Sequence, residues 1–222
     1  MRDGLTIIAL ADGAGSAALA AEGATVAVNS VTRYIGQHFH RMRRMAADVR
    51  QQSVLGHVRA ALGRAAQRRH VKITELASTL LFAACDGRTL LIGQIGDGRI
   101  GVRNAHTGQW SSAVEPARGE FANETWFVTT PESDRRFNLI TLSATDFDAC
   151  ALMSDGAEAS LFDTSRQVFA KAVDSLARWV SDHPVAKVEK ALTQELAAVL
   201  TTKTHDDVSI ALLVGPPCVS PG

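Results

Sequence analysis

The sequence predicts an α+β protein built from layered antiparallel sheets, and three observations carry that reading. Helical stretches come in two pairs, one early in the chain and one late. Short apolar runs of strand length fill the region between the pairs and flank it. No strand is followed by a helix and then a second strand in the rhythm of a βαβ wind.

The first element is Leu5 to Ala11, an apolar run suited to a buried strand, ending at Asp12-Gly13-Ala14-Gly15-Ser16. Ser16 is the expected N-cap of a helix whose small and apolar positions run from Ala17 through Leu19, Ala20, Val26 and Val28 to Val31. A second helix, rich in Ala, Arg and Gln, is expected from about Met45 to Arg69. Ser78 to Cys85 reads as a strand, Asp86-Gly87 as its turn and Thr89 to Ile95 as the return. Gly96-Asp97-Gly98 is another turn, followed by a strand from Arg99 to Asn104. Thr125 to Thr130, Phe137 to Leu142 and Ala149 to Met153 continue the strand character. Helices follow at about Ser165 to Ser181 and Pro184 to Leu200, with Pro184 placed at a first turn. Val208 to Val214 is a last buried strand. One domain over residues 1–214 is expected, with a flexible tail over 215–222.

Composition narrows the class. The 222 residues are 46% hydrophobic and 21% charged, enough apolar material for a core and unlike a disordered chain. Lys plus Arg and Asp plus Glu are 23 each, so global charge advertises neither a nucleic-acid partner nor an anionic membrane surface. Cys85, Cys150 and Cys218 are odd in number and widely spaced, against a disulfide framework or zinc knuckle and in favour of a reducing compartment. No apolar run approaches a membrane span and no secretory pattern opens the chain, so a soluble cytoplasmic protein is expected. The balance hides an asymmetry. Between Arg33 and Lys72 fall ten Lys or Arg and one acid, Asp48, leaving thirteen bases and twenty-two acids elsewhere. Such a basic lobe reads first as a solvated helix face and second as a docking surface for an acidic or phosphorylated partner.

Three acidic sites share a local design. Asp12 follows one apolar strand, Asp155 follows another and precedes Gly156, and Asp206-Asp207 precede the last. Carboxylates at strand ends are ordinary turn chemistry singly. Brought together by a sheet edge, they are the hard oxygen donors that Mg²⁺ and Mn²⁺ prefer.

The ordered set Ala11-Asp12-Gly13-Ala14-Gly15, Ser78-Thr79-Leu80, Gly96-Asp97-Gly98-Arg99, Met153-Ser154-Asp155-Gly156 and His205-Asp206-Asp207-Val208-Ser209 resembles the metal-dependent serine/threonine protein phosphatases of type 2C, most of all their compact bacterial branch. No one motif is specific, but five in order over nearly the whole chain make a strong signal. The resemblance implies an αββα sandwich of two antiparallel sheets flanked by helix pairs. It implies a binuclear Mn²⁺ or Mg²⁺ centre that activates a water for in-line attack on phosphoserine or phosphothreonine in proteins, with no protein nucleophile. By that resemblance Asp12 bridges two metals, the Gly13 carbonyl binds the second, Asp155 and Asp206 bind the first, and Asp97 joins Asp155 around a weaker third. Asp12, Asp155 and Asp206 are then the catalytic set, a phosphorylated protein is the substrate, and a cognate kinase is a possible partner, with no nucleic acid or membrane. Cys85 and Cys150 are expected to be inert core thiols.

Departures from the family pattern set further expectations. The family carries, before its first Asp-Gly motif, a strand with a phosphate-binding Arg and a Glu-Asp pair. Here Met1 stands eleven residues before Asp12, no Glu precedes Glu22, and Arg2-Asp3 does not match. That strand is expected to be missing, through a shortened chain, a misplaced start or natural loss, with first-site metal binding retained and turnover weak. The family's acid three positions after Gly156 is replaced by Ala159, with Glu158 beside it. The alternative to an enzyme is a phosphatase-like domain that binds a kinase or regulator through the basic lobe. A dinucleotide-binding opening at Leu5 to Gly15 ranks lower, lacking a third glycine and an acid near Arg33.

Overall fold

The computed structural model describes residues 4–115, 125–195 and 207–215. In chain order the elements are β1 (Thr6–Leu10), α1 (Ala20–Met42), α2 (Ala47–Arg69), β2 (Leu80–Cys85), β3 (Thr89–Ile95), β4 (Arg99–Asn104) and β5 (Trp110–Val114). After these come α3 (Ser133–Arg136), β6 (Asn138–Ser143), β7 (Phe147–Met153), α4 (Asp155–Leu161), β8 (Phe162–Asp163), β9 (Val168–Phe169), α5 (Lys171–Asp182), α6 (Val185–Glu195) and β10 (Ile210–Val214). A short 3₁₀ turn, Ile73–Leu76, precedes β2.

Two four-stranded sheets form, in the orders β1-β2-β3-β6 and β10-β7-β4-β5, with every neighbouring pair antiparallel. Strand alternation explains why their central strands read as continuous apolar runs. In β2, Leu81 and Ala83 face the second sheet, packing with Ile92, Ile100, Cys150 and Leu152. The opposite positions, Leu80, Phe82 and Ala84, face Val31, Ile35, Phe39 and Leu62 of α1 and α2. In β7, Ala151 and Met153 point outward under Leu161, Phe169 and Val173. Both sheets are thus covered on both faces, which is the expected α+β sandwich flanked by helices.

The register brings one set of strand ends to one edge. Leu10 pairs with Leu81, and Leu80 pairs with Ile95, so the end of β1 lies near the β3–β4 turn. Met153 pairs with both Ile210 and Arg99, so the end of β7 lies beside the starts of β10 and β4.

Several expectations are corrected. Helix α1 starts at Ala20, and Ser16 does not cap it. The 3₁₀ turn supplies the cap instead: Leu19 N–H donates to the Glu75 carbonyl (2.9 Å) and Ala18 N–H to the Glu75 carboxylate (3.1 Å). Residues 125–130 are a bridge and a turn rather than a strand. Val128 N–H donates to the Ser78 carbonyl and Thr130 N–H to that of Phe127, a local turn that overrides the β-propensity of Trp126, Phe127 and Val128. Helix α5 begins at Lys171, six residues later than expected. Asp163 Oδ1 accepts from Ser165 N (3.0 Å), Ser165 Oγ (2.6 Å) and Arg166 N (3.2 Å), folding a turn that leads into β9. Strand β5 and the seven-residue α4 were not anticipated. The end of the helix expected to reach Leu200, Cys218, and the tail from residue 216 onward lie outside the described residues.

Candidate active site

A cleft of about 320 Å³ opens at this edge of the sandwich. Asp12 and Gly13 enter it from the end of β1, Asp97 from the β3–β4 turn, Asp155 from the end of β7 and Asp207 from the approach to β10. Thr79, Thr125 and Phe127 complete much of its wall, and no Lys, Arg or His is among the described residues that line it. Asp12, Gly13, Asp97 and Asp155 therefore meet as the sequence anticipates. Asp206 and His205 lie outside the described residues, while the neighbouring Asp207 lines the cleft.

Local bonds fix the chain at each acid, and at Asp97 and Asp155 the carboxylate itself. The Asp12 backbone is strapped to β2: its N–H donates to Thr79 Oγ1 (2.9 Å) and its carbonyl accepts from Thr79 N–H (2.8 Å). One residue on, Gly13 bridges Ser78, and a Cβ there would stand 2.8 Å from the Ala20 Cβ, so only glycine admits this approach of strand end and helix. Gly96 holds φ at +113° in the turn that presents Asp97, whose Oδ2 accepts from the Thr125 hydroxyl. Asp155 stands in the first turn of α4, and its Oδ1 accepts from Gly156 N–H (2.7 Å).

Ser154, buried at 2% exposure, joins the two strands of the second sheet at this edge. Its hydroxyl donates to the Asp207 carbonyl (2.9 Å), accepts from Ser209 N–H (3.0 Å) and caps α4 through Ala157 N–H (3.4 Å). The sequence showed Ser154 only as a motif letter, because its role lies in contacts 55 residues away.

Glu158 was likewise not anticipated. It is buried and pairs with Arg99 at 2.9 Å, and the Arg99 guanidinium lies 3.7 Å over the Phe162 ring. The pair ties the helix that presents Asp155 to the strand that follows Asp97. Glu158 is committed to this pair, and Ala159 is exposed.

Electrostatics mark the cleft as deficient in positive charge. Burial, reinforced by Asp155, Asp207 and Asp97, pushes the Asp12 carboxyl up to about 6, against the opposing hydrogen bond from Gly13 N–H. Burial pushes the Cys150 thiol up to about 12 and raises that of Cys85, so neither offers a ready thiolate. The donors are all oxygen, which fits a hard divalent cation. Among the described residues, no three His, Cys, Asp or Glu groups already stand together as a ligand set. The acids line one cleft without closing into such a set.

Residues 1–201 match the sequence pattern of the family described as Protein phosphatase 2C. The chain belongs to that family. Membership makes it a metal-dependent serine/threonine protein phosphatase by class. It is 28% identical to serine/threonine-protein phosphatase 3 of Escherichia coli (strain K12), over 94% of this chain and 83% of that one. Its fold is similar to that of a bacterial serine phosphatase, with a TM-score of 0.62 and 18% identity, over 96% of this chain and 87% of the other. It is similar too to the catalytic domain of the serine threonine protein phosphatase PstP, solved with 2 manganese ions, with a TM-score of 0.61 and 16% identity over 95% and 90% of the two chains. Within this phosphatase 2C chain, no described helix is long and apolar enough to cross a membrane.

Proposed function

We propose that the cleft binds Mn²⁺ or Mg²⁺ as a binuclear centre and hydrolyses phosphoserine and phosphothreonine in proteins, within one domain spanning residues 1–214. The observation that carries the reading is the convergence of four carboxylates from both sheets on a cleft whose described lining includes no cationic side chain. Burial and the neighbouring acids raise the proton affinity of Asp12, and divalent cations answer such charge with the ligand type they prefer.

The chain's own groups have distinct parts. The Asp12 carboxylate and the Gly13 carbonyl would hold cations from the β1 end, with Asp155 and the Asp206-Asp207 pair from the other sheet and Asp97 at the rim. When bound, such cations supply charge neutralisation at the phosphoryl oxygens and activation of a water for in-line attack. Thr79 keeps the Asp12 backbone in register, Thr125 orients Asp97, and Ser154 holds Asp207 next to Asp155. Phe127 adds an apolar ring to the wall of the cleft. No cysteine or histidine of the described cleft serves as nucleophile.

The test is hydrolysis of p-nitrophenyl phosphate and of a phosphothreonine peptide with and without Mn²⁺. Turnover requires the cation and is lost in Asp155→Asn, whereas metal-independent turnover or an active Asp155→Asn enzyme overturns the reading. The described cleft has no Arg or Lys to grip the phosphate, which favours slow turnover and gives weight to a second reading, a phosphatase-like domain that mainly binds a kinase or regulator. An Asp155→Asn protein that keeps its partner but loses hydrolysis separates the two.

A further inference from the structure

We propose that the outer face of the α1–α2 pair is a docking surface for an acidic segment, rich in Asp and Glu, of a partner protein. Six cations on or beside these helices, Arg33, Arg41, Arg44, Arg64, Arg68 and Lys72, are exposed. None has a carboxylate partner among the described residues. The other cations of the stretch are occupied in the fold. Arg43 pairs with Asp86 and Arg69 with Glu22, while Arg50 and Arg59 donate to the carbonyls of Met42 and Thr130.

Ion pairing among the described residues does not account for the remaining six. Arg64 and Arg68 stand four apart on α2, a spacing at which like charges repel, while Arg41 and Arg68 lie in the last turns of α1 and α2, where the helix dipole favours a cation. The surface also has a shaped centre. Tyr34 packs between two imidazoles, with His57 stacked at 4.5 Å and an interplanar angle of 25°, and His38 at 4.8 Å. Burial, together with Arg64, His38 and Arg33, holds His57 below its ordinary value, so cations crowd it and no acid is among its interacting neighbours. The result is an aromatic platform with guanidinium groups nearby. It complements a polypeptide that brings carboxylates and backbone to a helix pair.

The Tyr34 centre of the surface is separate from the cleft, whereas Arg68 and Lys72 lie nearer to it, beside Arg69, which pairs with Glu22 at the start of α1. Arg33 lies thirteen residues along α1 from Ala20, which packs against Gly13, so at 1.5 Å per residue the two are roughly 20 Å apart along the axis. The inference therefore does not depend on the chemistry of the cleft.

The experiment is fluorescence anisotropy of a labelled Glu-rich peptide with the intact protein at low ionic strength, where exposed charges interact over the longest range. The variants are Arg33→Glu with Arg64→Glu, and Lys187→Glu on α6 as a control of equal sign. Circular dichroism checks that each folds, since exposed helix substitutions of this kind disturb stability little. The wild type and the control bind the peptide, the double variant binds roughly tenfold or more weakly, and a Lys-rich peptide binds the double variant better than it binds the wild type. Four results overturn the proposal. They are no binding by the wild type, equal weakening in the control, displacement of the peptide by single-stranded DNA of equal charge at lower concentration, or self-association in sedimentation that the double variant abolishes.

Discussion

Replacing Asp12 with Asn is expected to stabilise the protein in a chelator and destabilise it in Mn²⁺. Burial first, and then repulsion from three neighbouring acids, pushes the Asp12 carboxyl up from 3.8 to about 6 when no cation is bound. A raised acid pKa means the folded state holds its proton more tightly than the unfolded chain, so ionisation weakens folding. The penalty is absent below about pH 4, grows from pH 4 to 6 and is complete above that. Roughly two units correspond to about 3 kcal/mol at most. Asp12 is only half-buried, and solvent screening brings this to about 1 kcal/mol. The neutral amide escapes the penalty with nearly the same shape, so at pH 7.5 the Asp12→Asn melting temperature in EDTA rises by about 2–4 °C. At pH 4 the two proteins melt together. Saturating Mn²⁺ reverses the order, because a ligand at about a hundred times its Kd adds about 2.7 kcal/mol to the wild type and far less to a variant without the anionic ligand. Differential scanning fluorimetry at both pH values, with and without Mn²⁺, reads all four cases. A variant that melts lower than wild type in EDTA and keeps the full Mn²⁺ shift would refute the reasoning, because Asp12 would then be a structural turn residue.

Other positions give separate outcomes. Ser154→Ala removes the hydroxyl that joins Asp207, Ser209 and the start of α4, and loses about 2 kcal/mol in urea denaturation. Its Mn²⁺ affinity by calorimetry drops beyond what that stability loss explains, and unchanged affinity would remove Ser154 from the site's support. Glu158→Gln leaves Arg99 buried with weakened compensation, costing about 3 kcal/mol, whereas the double change Arg99→Met with Glu158→Leu costs less. Denaturant midpoints decide this, and a double variant worse than the single one would contradict it. In EDTA the wild-type melting temperature falls from pH 4 to 6 as Asp12 ionises, and that part of the profile is absent from Asp12→Asn.

Much of the fold was legible because its central strands are apolar on both faces and end at strong turn residues. Strands β3 and β4 fall at the expected Thr89–Ile95 and Arg99–Asn104, bounded by Asp86-Gly87 and Gly96-Asp97-Gly98. The convergence of Asp12, Asp97 and Asp155 was legible too, since each stands at the end of such a strand. Local pattern failed where distant contacts decide. Residues 125–130 carry β-forming side chains but are tied as a turn to Ser78, and α1 is capped by Glu75 rather than by the Ser16 next to it in sequence. Helix α4 has only seven residues, too few for a helical period to show, and its start is set by Ser154 reaching across to Ser209. Asp206, taken as a ligand from the family motif, lies outside the described residues, and its neighbour Asp207 lines the cleft.

Anomalous diffraction at the manganese edge, from crystals soaked in Mn²⁺, meets the central claim head-on. The account predicts peaks inside the cleft at about 2.1 Å from oxygens of Asp12, Gly13 and Asp155. An empty cleft at saturating Mn²⁺, or ions seated on other parts of the surface, would contradict it.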